Sequence, residues 1–336
     1  MFGWSFAVSS LAARLLAVPY PLALGLVVEW AWRCSCRPIS FIPKEDSLTS
    51  KTVAASSEGS ELPICCACGV QYGHARSNCP ICEDERQYVR WDGQSWTTLA
   101  QMRAGKYTGK VEQEGPGVFG IGSTPSFAIG QRGLLVISPN GNVLWDCIPY
   151  LDDYVVSRVN ELGGISAIAI SHPHFYGSMV QWSKAFDAPI YIHAADSPWI
   201  PRPDPSIVLW EGEKMGLAPG FTLINAGIHF RGGTVLHWSG APGGQGALLS
   251  GDIFQVVMDR RWVSFMYSYP NLIPERPSTV RNGLRLLEPF NYERIYGAFW
   301  GRIVESDGAA AVARSAQRYL DRLIDDPRLT GPSGQL

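Results

Sequence analysis

The stretch that decides the fold is "ISAIAISHPHFYGSMVQW", residues 165–182, where a run of Ile and Ala leads into two histidines separated by one residue. The run predicts a buried strand, and the residues after it predict a helix, because Met179 and Trp182 recur at helical spacing. His172 and His174 therefore lie at a strand end, where side chains are delivered to a cleft. On an extended backbone both imidazoles would lie on one side, about 7 Å apart along the chain, which suits two ligands of one ion.

Two further candidate ligands also follow apolar runs that predict strands. His229 comes after "FTLINA", and Asp252 ends "ALLSGD". Three imidazoles and a carboxylate make a suitable first coordination sphere for zinc, iron or manganese. We expect His172, His174, His229 and Asp252 to converge on one ion.

Strand and helix patterns alternate through most of the chain. "GLLVIS" and "NVLWDC" flank the turn signal "PNG" and predict a hairpin. A second short hairpin followed by a helix is expected in "ERQYVRWDGQSWTTLAQMRAG". Because most strands form hairpins and helices are interposed, the sequence predicts an α+β protein with two sheets covered by helices on their outer faces. The helices are expected in "LDDYVVSRVNEL", "SMVQWSKAF", "STVRNGLRLLEPF" and "AAAVARSAQRYLDRLI".

Residues 115–325 resemble the metallo-β-lactamase-fold hydrolases. The resemblance is carried by "LWDC", "SHPHFYG", "AGIHFRGGTVLHW" and "LLSGD", which occur in the order that the family shows. It implies an αββα sandwich with an active site at one edge between the two sheets. The resemblance also matches His172 and His174 to the first two histidines of the family's H-x-H-x-D-H motif, and His229 to its third.

The same resemblance assigns two carboxylates and exposes three departures. Asp252 matches the carboxylate that usually bridges two metals, and Asp146 matches the strand-end Asp that supports the site. The family's Asp and fourth His fall on Tyr176 and Gly177, and its last His falls near Trp300. Because these three residues build the family's second metal site, their joint absence predicts a site for a single metal.

A single Lewis-acidic ion predicts a hydrolase of a small ester, thioester, amide or lactone. Asp252 would then ligate the metal or act as a base, and Tyr176 would stabilise the developing oxyanion, unless it is a packing residue. His193 and Trp300 are candidates for contact with the ligands or the substrate, and a strand-end histidine with ordinary partners is the alternative for His193. Two other functions stay open: a non-hydrolytic lyase, isomerase or oxygen-using enzyme, and an inactive metal-binding interaction protein.

Four cysteines form two C-x-x-C pairs, Cys65 with Cys68 and Cys79 with Cys82. Two such pairs facing each other give a closed tetrahedral sulfur site, so the spacing predicts a structural ion, with zinc favoured over iron. Thiolates need a reducing compartment, which favours an intracellular protein. Through "CPICEDERQYV" the chain also resembles metallo-β-lactamase-fold proteins that carry an N-terminal zinc ribbon or rubredoxin-like knuckle.

Composition limits the partners. The chain has 336 residues, 46% of them apolar, and a formal charge of -2, which indicates a globular core and gives no electrostatic signal for nucleic acid. We expect a small-molecule substrate, and the sequence carries no signal of oligomeric state. The predicted domains are an apolar N-terminal segment with a disordered linker over residues 1–60, a zinc ribbon over 61–90 and the main domain over 91–330.

The N-terminal segment predicts neither a membrane span nor a secretory signal. Its uncharged run over 15–28 is shorter than the roughly 20 residues that cross a bilayer, and "MFGWSF" lacks a basic residue. A cytoplasmic location is therefore predicted. Mitochondrial targeting is the alternative, because Arg14, Arg33 and Arg37 outnumber Glu29 in this segment.

Overall fold

The computed structural model describes residues 58–323, so the predictions for the segment before residue 58 lie outside the described residues. The described part begins with a small cysteine region, in which β1 pairs antiparallel with β2. The short hairpin expected within "ERQYVRWDGQSWTTLAQMRAG" is wrong. Trp96 pairs instead with Cys65, and its ring packs edge-on against Tyr72 at 5.7 Å. The elements of this region are β1 (Ile64–Cys65), α1 (Pro80–Glu83), β2 (Trp96–Thr97) and α2 (Leu99–Ala104).

The first large sheet has seven strands, which lie side by side in chain order. They are β3 (Thr108–Gly115), β4 (Val118–Thr124), β5 (Gly133–Val136), β6 (Val143–Trp145), β7 (Ala167–Ala169), β8 (Ile190–His193) and β9 (Ile207–Trp210). Pairing is antiparallel from β3 to β6 and parallel from β6 to β9. Parallel neighbours need crossovers, and two of these are the helices α3 (Asp153–Glu161) and α4 (Met179–Phe186).

The second large sheet has six strands in the order β10-β11-β12-β13-β18-β19. All of its pairs are antiparallel except β13 with β18. Two small hairpins and a helix separate β13 from β18, and a second helix closes the described part. The elements are β10 (Lys214–Ala218), β11 (Phe221–Asn225), β12 (Thr234–Trp238), β13 (Ala247–Gly251), β14 (Gln255–Val256), β15 (Val263–Ser264), β16 (Met266–Ser268), β17 (Ile273–Pro274), α5 (Pro277–Leu287), β18 (Arg294–Gly297), β19 (Ile303–Val304) and α6 (Gly308–Leu323).

The two sheets pack face to face, and helices cover both outer faces. Successive strand residues point to opposite faces, so Leu134 of β5 joins the apolar layer between the sheets, while Leu135 packs with the layer of α3 and α4. On β12, Leu236 faces the same inner layer and Val235 packs with α5 and α6. This four-layer arrangement confirms the predicted α+β, αββα fold class.

The cysteine region packs directly on the main domain, and residues 58–323 belong to one compact unit. Cys65, Val70 and Tyr72 share one buried apolar cluster with Ile148 and Val180 of the helical layer over the first sheet. The residues on the two sides of the boundary predicted between 90 and 91 therefore share one core. Among the described residues, no helix combines the length and apolar character needed to cross a membrane.

Candidate metal centre

His172 and His174 follow β7 of the first sheet, but they do not lie on one extended segment. His172 is extended, with φ -171° and ψ 172°, and a short 3-10 helix, Pro173–Phe175, begins directly after it. The expected extended H-x-H geometry is therefore wrong. Proline fixes φ near the helical value and is favoured at the first position of a helix, so Pro173 begins the turn. The turn brings the two imidazole centroids to 5.0 Å.

His229 comes from the loop after β11 of the second sheet and has a left-handed backbone, with φ 67°. Its backbone N–H donates to Oε2 of the buried Glu275 at 3.0 Å. Its Nδ1 lies 2.8 Å from the carbonyl oxygen of Tyr267 and 3.2 Å from that of Met266. Because carbonyls only accept hydrogen bonds, Nδ1 carries the proton and Nε2 keeps the lone pair that a metal uses.

Asp252 follows β13 and completes a compact group. One ligand atom each from His172, His174, His229 and Asp252 lie within 4.8 Å of one another, and all four residues are buried. The ring of His229 lies 4.8 Å from that of His172 and 5.1 Å from that of His174. The four side chains thus come from the ends of strands in both sheets.

The group could hold a metal ion. Nε2 of His172 and Oδ1 of Asp252 are buried without a hydrogen-bond partner in the described part of the chain. Such atoms are costly to bury unless a partner satisfies them. Nε2 of His229 and Nδ1 of His174 lie 3.2 Å apart, as lone pairs directed at one point would. Three imidazole nitrogens and one carboxylate oxygen suit zinc, iron or manganese.

Burial sets the protonation of this group. It lowers the pKa of His172 and His174 well below the ordinary value and that of His229 to about 4. The same loss of solvent raises the pKa of Asp252 to about 7. Burial disfavours charged forms, so all three imidazoles are neutral at physiological pH, which is the form that binds metals.

Asp146 lies outside the ligand group and contacts the residue before His172. Its Oδ1 accepts a hydrogen bond from the backbone N–H of Ser171 at 2.7 Å, and the Ser171 hydroxyl lies 2.8 Å from Nδ1 of His172. Burial is the main cause that raises the pKa of Asp146 to about 8, and the nearby Asp252 adds to it. Asp146 thus fixes the backbone immediately before His172.

Tyr176 lies in the core instead of facing the cleft. Its side chain is fully buried and its hydroxyl donates to the carbonyl oxygen of Asp196 at 3.1 Å. Because Tyr176 continues the turn with helical dihedrals, its ring packs in the apolar cluster beside Phe175 and Val180. This placement contradicts the expectation that Tyr176 points into the cleft and agrees with the alternative that it is a packing residue.

His193 and Trp300 lie elsewhere. Nδ1 of His193 accepts from the backbone N–H of Ala195 at 3.2 Å, and its Nε2 lies 3.1 Å from the carbonyl oxygen of Gly212. The Trp300 ring lies under the ammonium of Lys110, 3.9 Å away, and lines a cavity of about 230 Å³ with Tyr150. In residues 58–323, no hydrogen bond or ring contact joins either residue to the four candidate ligands.

Three residues that the sequence did not point to adjoin the centre. Glu275 holds His229 from 46 residues away in the chain. Phe230 contacts the rings of all three histidines, with centroid distances of 5.4, 5.0 and 5.1 Å. Arg86 stacks on Phe230 with 3.8 Å between guanidinium and ring. Of the three, only Phe230 could have been found from the sequence, because it directly follows His229. These three residues also line a cleft of about 630 Å³.

The four paired cysteines form a second group. The Sγ atoms of Cys65, Cys68, Cys79 and Cys82 lie within 4.8 Å of one another and are buried. The closest pairs are Cys65 with Cys82 at 3.6 Å and Cys68 with Cys79 at 3.7 Å. The Tyr72 hydroxyl lies 3.2 Å from Sγ of Cys79, as expected for support of a thiolate. Four sulfurs at this spacing could hold a tetrahedral ion.

Solved structures with a similar fold include metallo-β-lactamases. DIM-1 metallo-β-lactamase is 14% identical, with 65% of this chain and 100% of that chain covered and a TM-score of 0.47. A metallo-β-lactamase of Cronobacter sakazakii is 16% identical, with coverage of 63% and 92% and a TM-score of 0.42. Both TM-scores are below 0.5, and the fold class follows from the sheet order and layers of this chain.

No protein-family model matches the chain. One relative is the protein described as uncharacterized protein YmaE of Bacillus subtilis (strain 168), which is 48% identical over 264 residues. The match covers 77% of this chain and 96% of the relative. With this identity over most of both proteins, the chain belongs to the same family as YmaE.

Proposed function

We propose that the chain is a metal-dependent hydrolase of a small ester, thioester, amide or lactone, with one ion held by His172, His174, His229 and Asp252. One observation carries the proposal: four buried ligand atoms lie within 4.8 Å of one another, between strand ends of both sheets. The proposed ion is zinc, with iron and manganese as alternatives, and a structural zinc is proposed for the cysteines.

The bound ion and the residues around it have separate roles in this proposal. A bound divalent ion supplies Lewis acidity, which polarises a carbonyl group and lowers the pKa of coordinated water. The carbonyl of Tyr267 keeps the proton of His229 on Nδ1, and Asp146 fixes the backbone before His172. Asp252 either binds the ion or accepts a proton through its unpartnered Oδ1. The adjoining cleft of about 630 Å³ has the size of small-molecule sites.

Metal analysis of a ligand variant tests the proposal. We expect two ions per chain in the protein purified without oxygen and one ion in H172A/H174A, because the cysteine site is left intact. The control is H237A, since Nε2 of His237 lies 2.8 Å from the carbonyl oxygen of Asn291, outside both ligand groups. Metal content would be measured by mass spectrometry, together with hydrolysis of a panel of esters, thioesters, amides and lactones.

The outcomes separate the hypotheses. Loss of one ion together with loss of hydrolysis supports the proposed enzyme. An unchanged metal content in H172A/H174A contradicts a metal site at these histidines. Loss of one ion in the variant, when the natural sequence hydrolyses nothing in the panel, contradicts the proposed reaction and favours a metal-binding interaction protein.

A further inference from the structure

The chain segment after the cysteine cluster forms a wall of the histidine site. We call residues 84–87 the linking segment; it begins two residues after Cys82. Asp84 lies at the end of α1, where its backbone N–H donates to the carbonyl oxygen of Pro80 at 3.2 Å. The position of the linking segment is therefore set by the same short helix that carries Cys82.

Within the linking segment, Arg86 and Asp84 form a bidentate ion pair. Nε and Nη2 of Arg86 lie 2.5 and 2.9 Å from the two carboxylate oxygens of Asp84. The side chains are only 11% and 16% exposed, so solvent screens the pair weakly. A planar guanidinium held at two points has a fixed orientation. Arg86 is therefore oriented by a residue next to the cysteine cluster.

Arg86 transmits this orientation to the histidines through Phe230. The guanidinium stacks 3.8 Å from the centre of the Phe230 ring. That ring also contacts the rings of His172, His174 and His229, and it meets Trp199 edge-on. Nη1 of Arg86 also donates to the carbonyl oxygen of His229 at 3.5 Å.

A second set of contacts joins the linking segment to the residues that hold His229. Oε1 of Glu85 accepts a hydrogen bond from the Tyr267 hydroxyl at 2.5 Å. Nδ2 of Asn271 donates to the carbonyl oxygens of Glu85 and Gln87 at 2.9 and 3.0 Å. Because the carbonyl of Tyr267 accepts the proton of Nδ1 of His229, the segment fixes this histidine from two directions.

We propose that Arg86 is a positioning residue of the histidine site, and that the cysteine cluster serves to hold Arg86 in place. The proposal rests on the proposed function only in that the histidines bind an ion. Without Arg86, Phe230 loses the group packed against its outer face, and the carbonyl of His229 loses a donor. The imidazoles then lose their preorganisation for the ion. The cysteine cluster is thus a structural part of this site.

Cobalt(II) is a suitable probe because it reports on the two sites separately. Cobalt bound to thiolates shows a sulfur-to-metal charge-transfer absorption that an imidazole and carboxylate site lacks. We expect R86A to weaken cobalt binding at the histidine site by at least about tenfold, the lower end of what loss of an outer partner of a metal ligand costs. The thiolate absorption should stay at one ion per chain, and R86K should fall between R86A and the natural sequence.

Arg90 gives a matched control. It makes the same bidentate pair with an Asp two residues away, Asp92, at 2.9 and 2.8 Å, but its side chain is 44% exposed. R90A should therefore leave cobalt binding at both sites unchanged. Equal weakening in R86A and R90A would show a general effect of losing an arginine pair and would overturn the proposal.

If R86A does not fold, R86K tests the role of Arg86 and Y267F tests the second set of contacts. Y267F removes only the hydroxyl bond to Glu85 and keeps the carbonyl that holds His229, so we expect a loss of a few-fold at the histidine site. Suppose that the natural sequence binds two ions, and that R86A, or R86K if R86A does not fold, binds cobalt at the histidine site with the natural affinity. The role of Arg86 is then overturned, while the proposed function stands. If the natural sequence binds cobalt only at the thiolates, the proposed function fails as well.

Discussion

At the scale of the residue, His229 shows how the fold holds a candidate ligand in an unfavourable conformation. Its φ of 67° lies in the left-handed region, which costs a residue other than glycine of order 1–3 kcal/mol. Glu275 compensates by accepting the backbone N–H of His229 with one carboxylate oxygen and that of Arg276 with the other. Because both of its carboxylate oxygens accept backbone hydrogen bonds, Glu275 fixes the loop that carries His229.

Removing that carboxylate should destabilise the protein. E275A leaves the buried N–H of His229 without an acceptor, so we expect the free energy of unfolding to fall by about 1–3 kcal/mol. E275Q keeps one acceptor oxygen and should cost less. Urea denaturation measures both changes. The exposed Glu288 at the end of α5 provides the control, and equal losses in E275A and E288A would contradict the role of Glu275.

The sequence predicted the four candidate ligands and the supporting Asp146, but it missed Glu275 and Arg86. His172, His174, His229 and Asp252 each follow an apolar run, and the structure brings their ligand atoms within 4.8 Å. Glu275 and Arg86 reach the centre from distant loops, so neither periodicity nor spacing marks them. Tyr176 was misplaced because the turn that Pro173 begins rotates its ring into the core.

At the scale of the element, the turn from the 3-10 helix into α4 depends on Gly177. Its φ is 48°, and a Cβ there would lie 2.6 Å from the carbonyl carbon of Ile148 and 2.9 Å from the carbonyl oxygen of Cys147. Backbone atoms cannot move aside as a flexible side chain can. Glycine is therefore required at this position on both counts.

Replacement of this glycine separates crowding from dihedral strain. We expect G177A to lower the free energy of unfolding by about 2–4 kcal/mol, from overpacking together with the left-handed conformation. G212A is the matched control: Gly212 has φ 89°, but a Cβ there meets nothing within 4 Å. Strain alone should cost G212A about 1 kcal/mol. Equal losses in the two variants, measured by urea denaturation, would contradict the crowding.

Most elements of the sandwich were predictable because each carries a clear apolar pattern. The predicted helices around α3, α4, α5 and α6 and the strands around β7, β11 and β13 are confirmed. β3 was missed, since it lies at the edge of its sheet and its sequence "TGKVEQEG" has no fully buried residue. Its order comes from pairing with β4, which local sequence does not reveal.

At the scale of the whole molecule, the cysteine cluster belongs to the same core as the first sheet. Cys65 and Cys68 pack in one apolar cluster with Ile168 and Ile190 of β7 and β8. A structural ion contributes directly to folding free energy. We therefore propose that the region predicted as a zinc ribbon, residues 61–90, does not unfold independently of the main domain.

Chelation in the H172A/H174A background tests this cooperativity, because that variant should retain only the ion of the cysteine cluster. Removing the ion should lower the melting temperature, and far-ultraviolet circular dichroism and tryptophan fluorescence should report one coincident transition. Two separate transitions would show that the ribbon folds as its own unit. The same variant with its ion bound is the reference.

The crowding around Gly177 also limits how this chain could evolve. In the resembled family a histidine of the second metal site falls on this position, yet any side chain here meets the backbone of Ile148. A side-chain ligand at residue 177 could therefore be acquired only if the backbone near residue 148 first moved away.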